Sequence, residues 1–202
     1  RYDINIRNAK IEFWVGELNL INNNINNRHH LTVQLEKIAG NEKKILVIHS
    51  SFSNLLPRGN FSKWDAIFSI KNLVNAGFTV AIPSFTFSFC ENGNFNKFNS
   101  KSETGILADW IYNYVPDSKR SNHPIYSFVV LGGEQEKIIE CVNTTTFSED
   151  STFGLFEKLN AKIIMLGSGW NSCTQIHRYE EIVKVKYRYY KTFDGYLVKN
   201  DC

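Results

Sequence analysis

His177 is the residue around which chemistry can be built. Thr174 lies three residues before it, Glu180 three after and Glu181 four after, so on a helix all four side chains can share one face. A carboxylate beside an imidazole fixes which ring nitrogen carries the proton and tunes the ring toward neutral pH, where a general base works best. A surface histidine in a helix ion pair has the same spacing, and the spacing by itself favours that plainer arrangement. Cys173, four residues before His177, also permits a Cys–His nucleophile, with a small residue at a helix start as the plainer reading. Serine, histidine and acid are all available for a hydrolase. The GxSxG nucleophile elbow is absent, because Gly167-Ser168-Gly169 has the wrong spacing.

A strand and a turn must position these groups. Ile163 to Leu166 is apolar throughout and runs into Gly167-Ser168-Gly169, which predicts buried strand, tight turn, then helix. Ligands of α/β proteins sit at such junctions. A second junction follows Ile45 to His49, a run without polar alternation that reads as a parallel strand covered on both faces. There Ser50, Ser51 and Ser53 offer hydroxyls and backbone N–H groups where such sheets bind phosphates and cofactors. Phe78 to Ile82, stopped by Pro83, and Tyr126 to Leu131, ended by Gly132-Gly133, supply two more strands. Helices are predicted over Thr32 to Gly40, Ser62 to Ala76, Glu103 to Tyr114, Glu134 to Val142 and Thr152 to Leu159, with Ser62 as an N-cap and Gly77 as a C-cap. Strands alternating with helices predict a three-layer αβα domain with a mostly parallel central sheet.

Both ends add β elements. Within residues 1 to 30, Ile4 to Ile6 and Ile11 to Val15 suit short strands, giving a peripheral hairpin or an arm to a partner subunit. Ile182 to Val198 alternates apolar and charged residues and turns at Asp194-Gly195, which predicts a second hairpin. The loop from Ser88 to Ser102, rich in Phe, Gly and Asn, is where acceptor specificity is expected.

The run GSGWNSCTQIHRYE, residues 167 to 180, resembles the motif of the aminoglycoside 3-N-acetyltransferase family (the antibiotic N-acetyltransferases), in which a strand ending in glycines precedes Thr-x-x-His-x-x-Glu. Four further blocks agree in the family's order. His49-Ser50-Ser51-Phe52-Ser53 resembles its HSSLS signature, Pro83-Ser84-Phe85-Thr86 its P-T-F-T, and Arg120-Ser121-Asn122-His123-Pro124 its R-S-x-H-P. Thr104 to Asp109, TGILAD, is similar to its T-x-G-x-L-A-E helix start. Arg58-Gly59-Asn60 stands where the family commonly has a double glycine, and the family normally continues several tens of residues further.

The resemblance implies one antibiotic N-acetyltransferase-like domain over 1–202, whose C-terminal part from 183 is shortened or rebuilt. It implies acetyl-coenzyme A as co-substrate, no metal, and direct transfer without a cysteine nucleophile. His177 becomes the general base, Glu180 its orienting carboxylate, and Thr174 or the backbone near Ser168 and Gly169 the oxyanion donor. Ser50, Ser51, Phe52 and Ser53 become the cofactor loop. Phe85 and Thr86 join it, with Arg120, Ser121 and His123 binding cofactor phosphates or acceptor.

Composition narrows the partners. The 202 residues, 43% hydrophobic, suffice for one domain with a real core. A net charge of +3, from 23 basic and 20 acidic residues, gives no field that calls for nucleic acid or an anionic membrane. No run of eighteen apolar residues exists to span a bilayer. Cys90, Cys141, Cys173 and Cys202 are widely spaced, which suits free thiols in a reducing compartment and a cytoplasmic location. The chain begins at Arg1, so an upstream targeting segment is left open.

For the acceptor, Glu91 is the only acid of the loop Ser88 to Ser102, whereas polycationic antibiotics need several carboxylates when desolvated. The expectation is therefore an amino sugar, nucleotide-linked and destined for surface polysaccharide, with an aminoglycoside as the alternative and a homo-oligomer allowed. A non-catalytic coenzyme A-binding module is the alternative of another class, and retention of His177 and Glu180 argues against it.

Overall fold

A computed structural model describes residues 2–6, 9–13, 27–41, 45–55, 62–141 and 145–198. Cys202 and Arg58-Gly59-Asn60 lie outside the described residues. The first elements are β1 (Tyr2–Ile6) and β2 (Ala9–Phe13), which pair antiparallel, then α1 (Asn27–Ala39). The core opens with β3 (Ile45–Ser50), a single turn α2 (Phe52–Leu55), α3 (Lys63–Asn75) and β4 (Thr79–Pro83). Two short elements follow, α4 (Phe89–Asn92) and β5 (Asn94–Asn96), inside what reads from the sequence as one loop. Then come α5 (Ile106–Tyr114), β6 (Lys119–Arg120), β7 (Phe128–Leu131), α6 (Gln135–Ile139) and α7 (Thr152–Lys158). The chain finishes through β8 (Lys162–Leu166), a 3₁₀ turn at Trp170–Ser172, α8 (Ile176–Ile182) and β9 (Tyr196–Val198).

The central sheet has the order β6-β7-β4-β3-β8. β4, β3 and β8 run parallel, and every residue of β3 except Ser50 is buried, as a strand covered on both faces requires. β7 departs from the parallel expectation by pairing antiparallel with β4 and β6. The cause is local: β6 and β7 are joined through residues 121–127 without a helix, and a parallel return needs a long crossover.

Two layers cover this sheet. On one face Leu35, Leu46, Ile48, Ile70, Leu73, Ile111 and Ile164 form a core with α1, α3 and α5; on the other Val47, Phe85, Phe128, Phe153, Phe156 and Met165 form a second, dominated by edge-on aromatic rings. Ser62 caps α3 through a full capping box with Asp65.

The expected C-terminal hairpin does not form. Residues 183–195 are irregular and β9 instead pairs parallel with β5. Alternation of residue type cannot make a strand here because consecutive residues Tyr187 and Arg188 both turn onto Glu180, whereas strand neighbours point to opposite faces.

Candidate active site

The turn after β8 is made by Gly167 in the left-handed region at φ 68°, where an added Cβ would lie 2.6 Å from Leu55 Cγ and 2.9 Å from the Ser51 carbonyl. The chain then passes through the 3₁₀ turn before α8 starts at Ile176. Thr174 is therefore in the turn and not on the helix with His177; its carbonyl accepts the His177 N–H at 3.0 Å. The inner side of this segment is fixed by Gln175, whose amide donates to the Phe153 carbonyl at 3.0 Å, by Tyr179, and by Arg178, which bonds Glu157 at 2.5 Å and the Phe147 carbonyl at 2.9 Å. With those residues turned inward, the helical period leaves His177 and Glu180 on the accessible side. Cys173 is buried and its thiol pushed up to about 11 by burial, which removes it as a nucleophile.

His177 and Glu180 meet. Nδ1 of His177 lies 2.8 Å from Glu180 Oε2, the i,i+3 pair that the sequence singles out. A carboxylate accepts only, so Nδ1 carries the hydrogen, and in the neutral ring the lone pair is on Nε2. Two donors absent from the sequence-based site complete the carboxylate: Arg188 Nε at 2.5 Å on Oε2 and the Tyr187 hydroxyl at 2.8 Å on Oε1. Burial pushes the Glu180 carboxyl up, but hydrogen bonds from Tyr187, His177 and Arg188 and the Arg188 charge outweigh it and hold the group down at about 2. Phe147 packs edge-on to the His177 ring at 5.5 Å, and the Arg188 guanidinium sits 5.6 Å over the same phenyl.

The five sequence blocks are tied together. Ser168 Oγ donates to the His49 carbonyl, Asn54 to the Gly167 carbonyl, and Ser51 N–H to the Leu166 carbonyl, which joins the serine loop to the turn after β8. Gly105 approaches Ser50 so closely that a Cβ would lie 2.9 Å from its carbonyl. Thr104 Oγ1 accepts from Phe85 N–H, and Arg120 bonds Thr86 Oγ1 at 3.0 Å. His123 lies 3.4 Å from Thr146, next to Phe147 in the chain.

Within that cluster the expected cofactor residues differ. Ser51 and Ser53 keep accessible hydroxyls 3.1 Å apart, with Ser50 half-buried beside them; such donors fit a phosphate or amide. The Phe52 ring is buried against Trp110 at 5.0 Å, and Phe85 is buried among Phe87, Tyr126 and Phe128, so neither phenyl is open to a ligand. Arg120 is corrected more sharply. It is buried over Phe95 and donates to the carbonyls of Ser84 and Ser100 and to the hydroxyls of Thr86 and Ser127. It clamps the site's wall and has no arm left for a phosphate. Lys119 is bonded to Glu136. Ser121 is buried and its hydroxyl accepts from Phe128 N–H at 2.9 Å.

His123 borders a cavity of about 1110 Å³ with Phe147, Glu180, Glu181, Arg188 and Tyr190. Its Nδ1 accepts from the N–H groups of Ile125 and Tyr126, and burial lowers it to about 4, so at neutral pH it is uncharged with the hydrogen on Nε2. Among the described residues no group of three His, Cys, Asp or Glu is placed to hold a metal ion.

The model of the family described as aminoglycoside 3-N-acetyltransferase matches residues 47–201, more than half of the chain. The chain belongs to that family. Aminoglycoside N(3)-acetyltransferase IV of Salmonella sp is 27% identical over 146 residues, which is 71% of this chain and 54% of the relative. The chain thus spans about half the length of that curated family member. Among solved structures, the apoenzyme of aminoglycoside acetyltransferase AAC(3)-IVa superposes with a TM-score of 0.67 at 25% identity, over 79% of this chain and 62% of the other. AAC-IIIb, solved as a binary with CoASH, shares the fold with a TM-score of 0.63 at 19% identity, over 77% and 64%.

The site residues legible from sequence are those in helical or block spacing. Tyr187, Arg188 and Phe147 are not among them, since they reach Glu180 and His177 through an irregular segment and a loop.

Proposed function

We propose that the chain transfers an acetyl group from acetyl-coenzyme A to an amine of an aminoglycoside. The observation that carries this is the His177–Glu180 pair, of which Glu180 borders a cavity of substrate size, in a chain of this family. His177 Nε2 takes the proton from the attacking amine while Glu180 holds Nδ1–H in place. The new C–N bond forms as the C–S bond of the thioester breaks, and the proton passes on to the departing thiolate. Thr174 or the N–H groups near Ser168 and Gly169 meet the developing oxyanion, with donors of this kind each contributing about 3 kcal/mol. Ser50, Ser51 and Ser53 bind the coenzyme, and His123 Nε2–H meets the acceptor.

Membership of this family, and an aminoglycoside N(3)-acetyltransferase as relative, favour the aminoglycoside over the amino sugar of surface polysaccharide that composition suggests. A specific observation keeps an anionic amino sugar as the second reading: Lys184, Lys186, Arg188 and Lys191 border the cavity against Glu140, Glu180 and Glu181. One assay separates the two. Thiol release from acetyl-coenzyme A is followed with a panel of aminoglycosides and nucleotide-linked amino sugars, using the unaltered chain and His177→Ala. Release with aminoglycosides, lost by about 10³-fold in His177→Ala with coenzyme binding retained, is the expected result. Turnover confined to the anionic sugars selects the second reading, and near-normal activity of His177→Ala refutes the assigned base.

A further inference from the structure

The carboxylate of Glu180 is more heavily engaged than a partner for one histidine requires. Oε2 accepts from both His177 Nδ1–H and Arg188 Nε–H, and Oε1 accepts from the Tyr187 hydroxyl. Both added donors come from the irregular segment that follows α8. How the chain brings them back is visible in the backbone: Lys184 N–H bonds the Glu181 carbonyl at 3.1 Å and Val185 N–H bonds the Glu180 carbonyl at 3.1 Å, with Lys184 in the left-handed region at φ 52°. That pair of bonds is a Schellman ending. It reverses the chain, Arg188 N–H then bonds the Val185 carbonyl, and residues 187 and 188 arrive beside Glu180.

We propose that Arg188 and Tyr187 are positioning residues of the acyl-transfer site, which hold the Glu180 carboxylate in one rotamer against Nδ1 of His177. The assignment rests on the reading of His177 as the base. Phe147 gives the group a shared wall, since the His177 ring meets its edge and the Arg188 guanidinium covers its face, so imidazole, carboxylate and guanidinium are fixed as one unit.

Other titratable groups surround the pair. Glu181 and Lys184 lie on or beside the same helix end and border the cavity, as do His123 and Tyr126 from the β6–β7 connection and Lys186 and Lys191 from the return segment. On the inner side Arg178 is engaged by Glu157 of α7 and by the Phe147 carbonyl. None of these makes a hydrogen bond to Glu180, so among the described residues the guanidinium of Arg188 is the cation in direct contact with it.

The test compares Arg188→Met, Arg188→Lys and Tyr187→Phe with the unaltered chain. In Arg188→Met, kcat is expected to fall roughly 10- to 100-fold, the range seen when a group that orients a reacting ligand is removed, with KM for acetyl-coenzyme A within about twofold. Arg188→Lys returns part of the lost kcat, and Tyr187→Phe also lowers kcat. A rise in KM for acetyl-coenzyme A with kcat intact overturns the proposal by making Arg188 a substrate-binding residue. Nitrogen NMR of the His177 ring in the ligand-free protein reads the same clamp without turnover. There the Nδ1–H form is expected in the unaltered chain and a mixture of tautomers in Arg188→Met. If the unaltered chain acetylates no amine while this spectral change is present, the proposed function has failed and the clamp stands; if acetylation is robust and the ring is unchanged, the reverse holds.

Discussion

Glu180 decides what His177 can do. An imidazole whose Nδ1–H is held by an ionised carboxylate presents a lone pair on the other nitrogen, and the three donors on Glu180 keep that carboxylate ionised well below neutral pH. Glu180→Gln keeps size and removes charge, yet its amide can turn an N–H toward Nδ1 and favour the wrong tautomer. Turnover in this variant is expected to slow by at least about a hundredfold with little change in coenzyme affinity, measured by steady-state kinetics and calorimetry. Equal turnover would mean that Glu180 is only a surface ion-pair partner, the plainer reading that spacing alone supports. This pair is legible in the sequence because three residues on a helix is a local distance. Arg120 is the opposite case. It sits in a block with a basic neighbour and is spent inside the fold on two carbonyls and two hydroxyls, and engagement by backbone carbonyls leaves no trace in residue type.

At the scale of elements, three helices end in the same way. In α3, α7 and α8 the residue after the cap is left-handed, Gly77, Asn160 and Lys184, and the next N–H reaches back five residues, to Leu73, Phe156 and Glu180. Glycine and asparagine suit that conformation, and lysine does not. Lys184→Gly is therefore expected to stabilise the folded chain by about 1 kcal/mol, and Lys184→Val to destabilise it by more, as read from urea midpoints. The first helix stop is legible because Gly77 announces it. The third is not, since Lys184 looks like any residue of an alternating charged run, and the hidden chain reversal is why a hairpin is expected where Tyr187 and Arg188 fold back. The position of β7 can be read and its direction cannot, because apolar content marks burial while direction depends on the length of the connection.

For the whole molecule, the parallel centre of the sheet and the buried blocks that line its carboxyl ends are readable from continuous apolar runs and their turn residues. Burial of two histidines inside that arrangement sets the response to acid. His49 and His123 are each lowered to about 4 by burial, from a value near 6.5 in the unfolded chain. Between those limits the unfolded chain binds protons that the folded chain refuses, so stability is complete above about 6.5 and declines as pH falls toward 4, by up to about 1.4 kcal/mol per pH unit for each histidine. Urea midpoints should already drop between about pH 6.5 and 5, above the range where ordinary carboxylates titrate. A flat midpoint there would contradict the burial of these rings.

The pairing of β5 with β9 has a further consequence. Three residue pairs, Asn94 with Tyr196, Phe95 with Leu197 and Asn96 with Val198, hold β9 to β5, and all three β9 side chains are exposed. Their release exposes little apolar surface, so it proceeds at a small fraction of the free energy that opens the central sheet. Amide protons of β9 then exchange with solvent long before those of β3, β4 and β8. The molecule is thus expected to have two tiers of permanence, a sheet that opens last and a flank that opens well before it.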